Sequence, residues 1–122
     1  MSHHCLIVDD SPTLRRILRQ MLERIGLGTA EAENGVRALE HCRERMPDVI
    51  FLDWNMPEMD GLAFLRALRR EPDGTRPVVI FCTTMDDIAH IEQALEAGAD
   101  EYMIKPFDQE LVRLKLQQTG VL

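Results

Sequence analysis

The chain has 122 residues, the size of one domain. Its 45% hydrophobic content is enough for one core, and its apolar runs stay well short of the ~18 residues that would read as a membrane span. A net charge of −7 argues against direct binding of nucleic acid or of an anionic membrane surface, both of which need surplus Lys and Arg.

The amino-terminal stretch lacks the charged region and long apolar segment of a secretion signal. A cytoplasmic location is therefore expected, with Cys5, Cys42 and Cys82 as buried thiols rather than a disulfide framework. None of the three has metal-ligand spacing. The adjacent His3 and His4 are a weak metal signal. Arg15, Arg16, Arg19 and Arg24, then Arg66, Arg69 and Arg70, read first as solvated helix faces and second as a docking surface.

In chain order, Cys5 to Val8 is a short apolar strand that ends in Asp9 and Asp10. Ser11 and Pro12 are an N-cap and first-turn pair. Leu14, Ile17, Leu18, Met21, Leu22 and Ile25 then form one face of an amphipathic helix, closed by Gly26 and Gly28. Thr29 to Ala32 is a weak edge strand. Asn34 and Gly35 start a second helix with Val36, Leu39, Cys42 and Met46 inward, and Pro47 closes it.

Val49 to Leu52 is a near-continuous apolar run, as suits a strand buried on both faces of a parallel sheet, and it stops at Asp53. A loop through Met56, Pro57 and Asp60 leads to a helix from about Gly61 to Arg70, with Leu62, Leu65 and Leu68 on one face. A polar loop, Glu71 to Pro77, precedes the fourth buried strand, Val78 to Cys82, which ends in Thr83 and Thr84. A helix from about Asp87 to Ala97 turns Ile88, Ile91 and Leu95 inward, with Gly98 as its stop. Glu101 to Ile104 is the fifth strand, ending at Lys105 and Pro106. Asp108 caps a last helix with Leu111, Leu114 and Val112 inward, and Gly120 ends it.

Five alternations of strand and helix predict an α/β fold: one doubly wound, five-stranded parallel sheet in the order 2-1-3-4-5 with five helices, flavodoxin-like in topology. In that order strands one, three, four and five are consecutive, so Asp9, Asp10, Asp53, Thr83 and Lys105 meet at the carboxyl edge, where open α/β sheets bind ligands. A single Asp at a strand end can simply mark that end. Five polar groups converging on one edge point to a site.

Clustered carboxylates repel one another, and a small hard divalent cation relieves this. Mg²⁺ prefers one or two carboxylates plus a phosphate oxygen, and Cys and His offer no zinc site. The edge thus suits a metal, a phosphoryl group and a carboxylate nucleophile, for which Asp53 is the candidate. The cation and Lys105 would stabilise charge on the transferring group.

Val8 to Ser11, Asp53 to Pro57 with Met59 to Gly61, Thr83, and Tyr102 followed by Lys105 to Phe107 together resemble the receiver domain of two-component response regulators, most closely its single-domain, CheY-like chemotaxis members. The resemblance spans residues 1–122. It implies a signalling switch rather than an enzyme, in which Asp53 accepts a phosphoryl group from a histidine kinase. Asp10, Asp53 and the backbone carbonyl of Asn55 would ligate Mg²⁺ (Mn²⁺ can substitute), with Asp9 acting through a water. Lys105 would pair with the phosphoryl group, with a cis bond to Pro106. Thr83 would hydrogen-bond the phosphoryl group and Tyr102 swing inward, changing the surface of helix four, strand five and helix five. Trp54 would pack beside the site without a catalytic part.

The resemblance also assigns modulating positions to Asn55, Thr84 and Met85. Thr84 would narrow access to Asp53. Met85 cannot orient a water by hydrogen bonding, so the phosphorylated form should outlast one with Glu there.

The implied partners are a histidine kinase of the chemotaxis type, a flagellar motor switch protein and a phosphatase, acting on a monomer. Alternatives are a phosphate sink, a kinase-regulating receiver, or a receiver cut from a longer regulator, although the end after Gly120 reads as a natural stop. A dehalogenase-type phosphatase would need Asp-x-Asp after the first strand and a cap domain; here Asp9 and Asp10 are adjacent. A flavodoxin-type electron carrier would need a hydroxyl-rich phosphate loop, which is absent from the sequence.

Overall fold

The computed structural model describes residues 3–84 and 88–122. Five strands, β1 (His4–Val8), β2 (Gly28–Ala32), β3 (Val49–Asp53), β4 (Val78–Thr83) and β5 (Glu101–Ile104), form one parallel sheet in the order β2-β1-β3-β4-β5. Between and after them run α1 (Pro12–Ile25), α2 (Gly35–Glu44), α3 (Gly61–Arg70), α4 (Ile88–Glu96) and α5 (Gln109–Gln118). The expected fold class and strand order are what the chain adopts. β1 and β2 begin one residue earlier than the apolar runs suggest, and β4 runs one residue further.

The central strands are buried on both faces, so alternate side chains feed two cores. Leu6, Val8, Ile50, Leu52, Val79 and Phe81 pack with Phe64, Leu65 and Leu68 of α3 and with Ala38, Leu39 and Cys42 of α2. Cys5, Ile7, Val49, Phe51, Ile80 and Cys82 pack with Leu18 and Leu22 of α1 and with Val112 and Leu116 of α5. Burying such side chains supplies roughly 1.5–3 kcal/mol each, which is what holds helices this short onto the sheet.

Helix starts follow capping chemistry. The side chains of Ser11, Asn34, Asp60 and Asp108 accept the backbone N–H of Leu14, Arg37, Ala63 and Leu111 respectively. Gly26 closes α1 in the left-handed conformation, φ 102°.

Several helix faces are rotated from expectation. Val36, Leu95 and Leu114 were expected inward and are exposed, as is Ile17. On α5 the buried stripe is Val112 and Leu116, four residues apart, and Leu114 lies about 200° round the helix from Val112. On α4 Ala94 is buried, and Leu95 is turned about 100° away from it. Ile91 is half-buried against the core, as expected. The expected start at Asp87 and the side chain of Ile88 lie outside the described residues.

Arg16, Arg24, Arg66 and Arg70 are exposed, as a solvated reading expects, but Arg69 departs from it. Arg69 keeps only 15% of its side chain exposed. It donates to the carbonyls of Gly74, Pro77 and Gly98, tying the loops that enter β4 and β5.

Candidate functional site

Parallel strands end on one rim, and that rim collects the polar residues. Asp53 is the last residue of β3, opposite Cys82 of β4. Asp9 follows β1 and Lys105 follows β5. One oxygen from each of Asp9, Asp10 and Asp53 lies within 4.8 Å of the others, a spacing that would let the three share one cation. The donor set fits a hard divalent ion: carboxylate oxygens only, one of them exposed on Asp10.

Lys105 bridges two of these acids. Its Nζ donates to Asp53 Oδ1 at 2.9 Å and to Asp9 Oδ2 at 3.3 Å. Asp9 is 7% exposed and held on every side. Its Oδ1 accepts the Ser11 N–H at 2.9 Å, its own N–H donates to Ala32 O at 3.1 Å, and its carbonyl accepts Arg15 Nη1 at 2.6 Å. The Lys105–Pro106 peptide bond is cis.

Burial pushes the Asp53 carboxyl above its ordinary value; the Lys105 hydrogen bond and charge oppose this, and the nearby Asp9 adds to it. Burial works against the Lys105 ammonium, yet its hydrogen bond to Asp53 and the charges of Asp53 and Asp9 prevail and hold its pKa above the ordinary value. Asp53 is thus a carboxylate in a partly desolvated setting, with a cation at one oxygen and acids around it.

Thr83, at the end of β4, is 2% exposed, with its Oγ1 donating to the Thr84 carbonyl at 3.5 Å. Its carbonyl accepts the Lys105 N–H at 2.7 Å, joining the two strand ends. Thr84 is exposed, and Met85 lies outside the described residues. Asn55 is exposed in the loop after Asp53. Tyr102 pairs across the sheet with Phe81, is half-buried, and has the Lys115 ammonium 5.0 Å from its ring centroid.

Trp54 lies flat against His90 of α4, rings 3.9 Å apart and 4° from parallel, with Phe81 edge-on at 5.5 Å. The loop from Trp54 to α3 is pinned where Gly61 donates to Trp54 O at 2.9 Å. A Cβ on Gly61 would collide with the Asp53 carbonyl oxygen, so only glycine allows that approach.

Sequence reasoning missed Arg15 and Glu31. In the sequence Arg15 reads as one of the solvated arginines, but only 16% of its side chain is exposed. The one available signal was its place in the first turns of α1, within reach of the loop that carries Asp9 and Asp10.

Comparison with known proteins agrees with this geometry. The model of the response regulator receiver domain matches residues 5–117. Chemotaxis protein CheY of Bacillus subtilis is 35% identical over 120 residues, covering 98% of each chain. The solved structure of chemotaxis protein CheY4 of Vibrio cholerae superposes with a TM-score of 0.90 at 29% identity, covering 97% of this chain and 98% of that one. The receiver domain of sensor histidine kinase PA1611 from Pseudomonas aeruginosa, solved with a magnesium ion coordinated in its active-site cleft, gives 0.88 at 26% identity over 97% of both chains. With the acids, the lysine and the sheet order already in place, the match over nearly the whole length means that the chain belongs to the family of response regulator receiver domains, which are signalling proteins rather than classical enzymes.

Proposed function

We propose that the protein is a phosphorylation-driven switch, one receiver domain over residues 1–122, that takes a phosphoryl group on Asp53 from a histidine kinase and responds by changing a protein-binding surface. The observation that carries this reading is the Lys105 ammonium held on Asp53 Oδ1, within a group of three carboxylates, Asp53 included, that can share a cation.

In this reading Asp10, Asp53 and the Asn55 backbone carbonyl hold Mg²⁺, or Mn²⁺ in its place, with Asp9 at one remove. When bound, the cation supplies the positive charge that offsets the carboxylates and the incoming phosphoryl oxygens. An Asp53 oxygen attacks phosphorus, the bond from phosphorus to the donor imidazole nitrogen breaks, and that nitrogen keeps the electron pair and takes up a proton. Lys105 is close enough to stabilise the negative oxygens of the group in transfer. The Thr83 hydroxyl then hydrogen-bonds the phosphoryl group and Tyr102 moves inward, altering the face made by α4, β5 and α5. The added charge of about −2 is what biases that change.

The chemotaxis names of the Bacillus and Vibrio relatives support a role in chemotaxis. In this reading the protein is a cytoplasmic monomer, with a flagellar motor switch protein as output and a phosphatase to reset it. The Pseudomonas likeness, to the receiver of a sensor kinase, favours a second reading as a kinase-regulating receiver or phosphate sink. Thr84 limits access to Asp53, and Met85 prolongs the phosphorylated state; Met85→Glu should lose phosphate faster.

The test uses acetyl phosphate and Mg²⁺, with phosphorylation read by intact mass. Wild type should gain one phosphoryl group and Asp53→Asn none. Equal labelling of both would reject Asp53 as the acceptor. Titrating a flagellar-switch peptide with and without beryllofluoride then separates the outputs: tighter binding only in the filled state supports the motor role, and no binding in either state favours the second reading.

A further inference from the structure

The loop that carries Asp10 has a clamp of its own. Asp10 lies just beyond the end of β1, exposed, yet its carboxylate must stay near Asp53 and Asp9 for the three to act together. The peptide between Asp9 and Asp10 is a rigid plane, so whatever fixes the Asp9 carbonyl also fixes the N–H and Cα of Asp10. That carbonyl is gripped by Arg15 Nη1 at 2.6 Å. Arg15 reaches back from α1, and its Nε donates to Glu31 Oε1 at 3.0 Å. The other oxygen of Glu31 takes Arg19 Nη1 at 2.7 Å. Glu31 is itself set by the sheet, where it pairs with Ile7 of β1.

We propose that Arg15 is a positioning residue for the cation-binding acids: steered by Glu31, its guanidinium holds the Asp9–Asp10 peptide so that the Asp10 carboxylate faces Asp53. The inference rests on the cation-binding reading above, and the sign of one measurement separates it from plain electrostatics. A guanidinium beside three carboxylates repels an arriving cation, so by charge alone its removal tightens cation binding. If its work is to hold Asp10 in place, its removal weakens cation binding. Lysine keeps the charge but cannot grip the Asp9 carbonyl and Glu31 together from one planar fork.

The experiment titrates Mg²⁺ into wild type, Arg15→Ala and Arg15→Lys, reading Trp54 fluorescence. Arg69→Ala serves as a control, because Arg69 clasps loops at the opposite rim. Loss of a group that orients a metal ligand weakens affinity on the order of 10-fold. Arg15→Ala should show that loss, Arg15→Lys a smaller one, and Arg69→Ala none. At saturating Mg²⁺ the rate of labelling by acetyl phosphate should return to the wild-type value in both Arg15 variants, since the guanidinium acts only through Asp10.

Unchanged or tighter Mg²⁺ binding by Arg15→Ala would overturn the inference. So would an equal loss in Arg69→Ala, or a rate deficit that persists at saturation. If Arg15→Ala fails to fold, Arg15→Lys decides: affinity equal to wild type overturns the proposal. A wild-type protein with no saturable Mg²⁺ response would instead sink the cation reading, and the inference with it.

Discussion

Lys105 sits where its charge has opposite effects on two ligands. It repels a cation from Asp9 and Asp53, and it attracts the oxygens of a phosphoryl group. Lys105→Met should therefore bind Mg²⁺ several-fold more tightly, by the Coulomb term removed, as read by Trp54 fluorescence. The same variant should accept phosphate from acetyl phosphate on the order of 100-fold more slowly, the usual loss when one donor to a developing charge is removed. If both quantities fall together, Lys105 is holding the site's shape rather than its charge. The acids, Thr83 and Lys105 were legible in the sequence because each interrupts an apolar strand at its end, where a polar residue stands out. Arg15 and Glu31 were not. An arginine on an amphipathic helix looks the same whether it faces water or turns back on a carbonyl, and its partner Glu31 is 16 residues away on another strand.

At the scale of elements, the turn into α3 depends on Gly61. Gly61→Ala forces a methyl group onto the Asp53 carbonyl and should destabilise by about 3 kcal/mol, the upper range for overpacking against backbone. Gly26→Ala has open space around it but a left-handed backbone, and should cost about 1 kcal/mol. Urea unfolding of the two variants checks the ordering.

At the opposite rim, His4 Nε2 shares a 2.9 Å hydrogen bond with His41 Nε2. Burial, then the charges of Arg45 and His41, lowers the His4 pKa from the ordinary 6.5 despite the opposing pull of Asp48. The unfolded chain thus takes this proton at higher pH than the folded one. The contribution of neutral His4 to stability is full above about pH 6.5 and is lost as pH falls through the folded value. His4→Leu should flatten the acid side of the stability profile, as measured by urea midpoints across that range.

The three central strands were legible because buried parallel strands read as unbroken apolar runs, and their order followed from the strand–helix alternation and right-handed crossovers. Helix facing was less so. Leu114 and Leu95 match the hydrophobic period as well as Leu116 and Ala94 do, and only the position of the sheet decides between them.

For the whole molecule, the two cores enclose all three thiols. Burial pushes Cys5, Cys42 and Cys82 each up to about 12, far from the thiolate form at neutral pH. A disulfide reagent such as Ellman's should therefore leave the native protein unlabelled near pH 7.5 and count three thiols in urea. Rapid labelling of the native state would mean that one core opens on the experimental timescale.

The parallel sheet also sorts the ends of the chain. β1 begins at the rim opposite Asp53, and α5, running back from β5, brings Val121 and Leu122 toward that same rim, where Val121 N–H bonds to Leu116 O. A fusion partner, a surface tether or a linker attached at either end would thus hang from the far side of the protein. Such a molecule can be immobilised by its tail and still present its acid cluster to whatever arrives from solution.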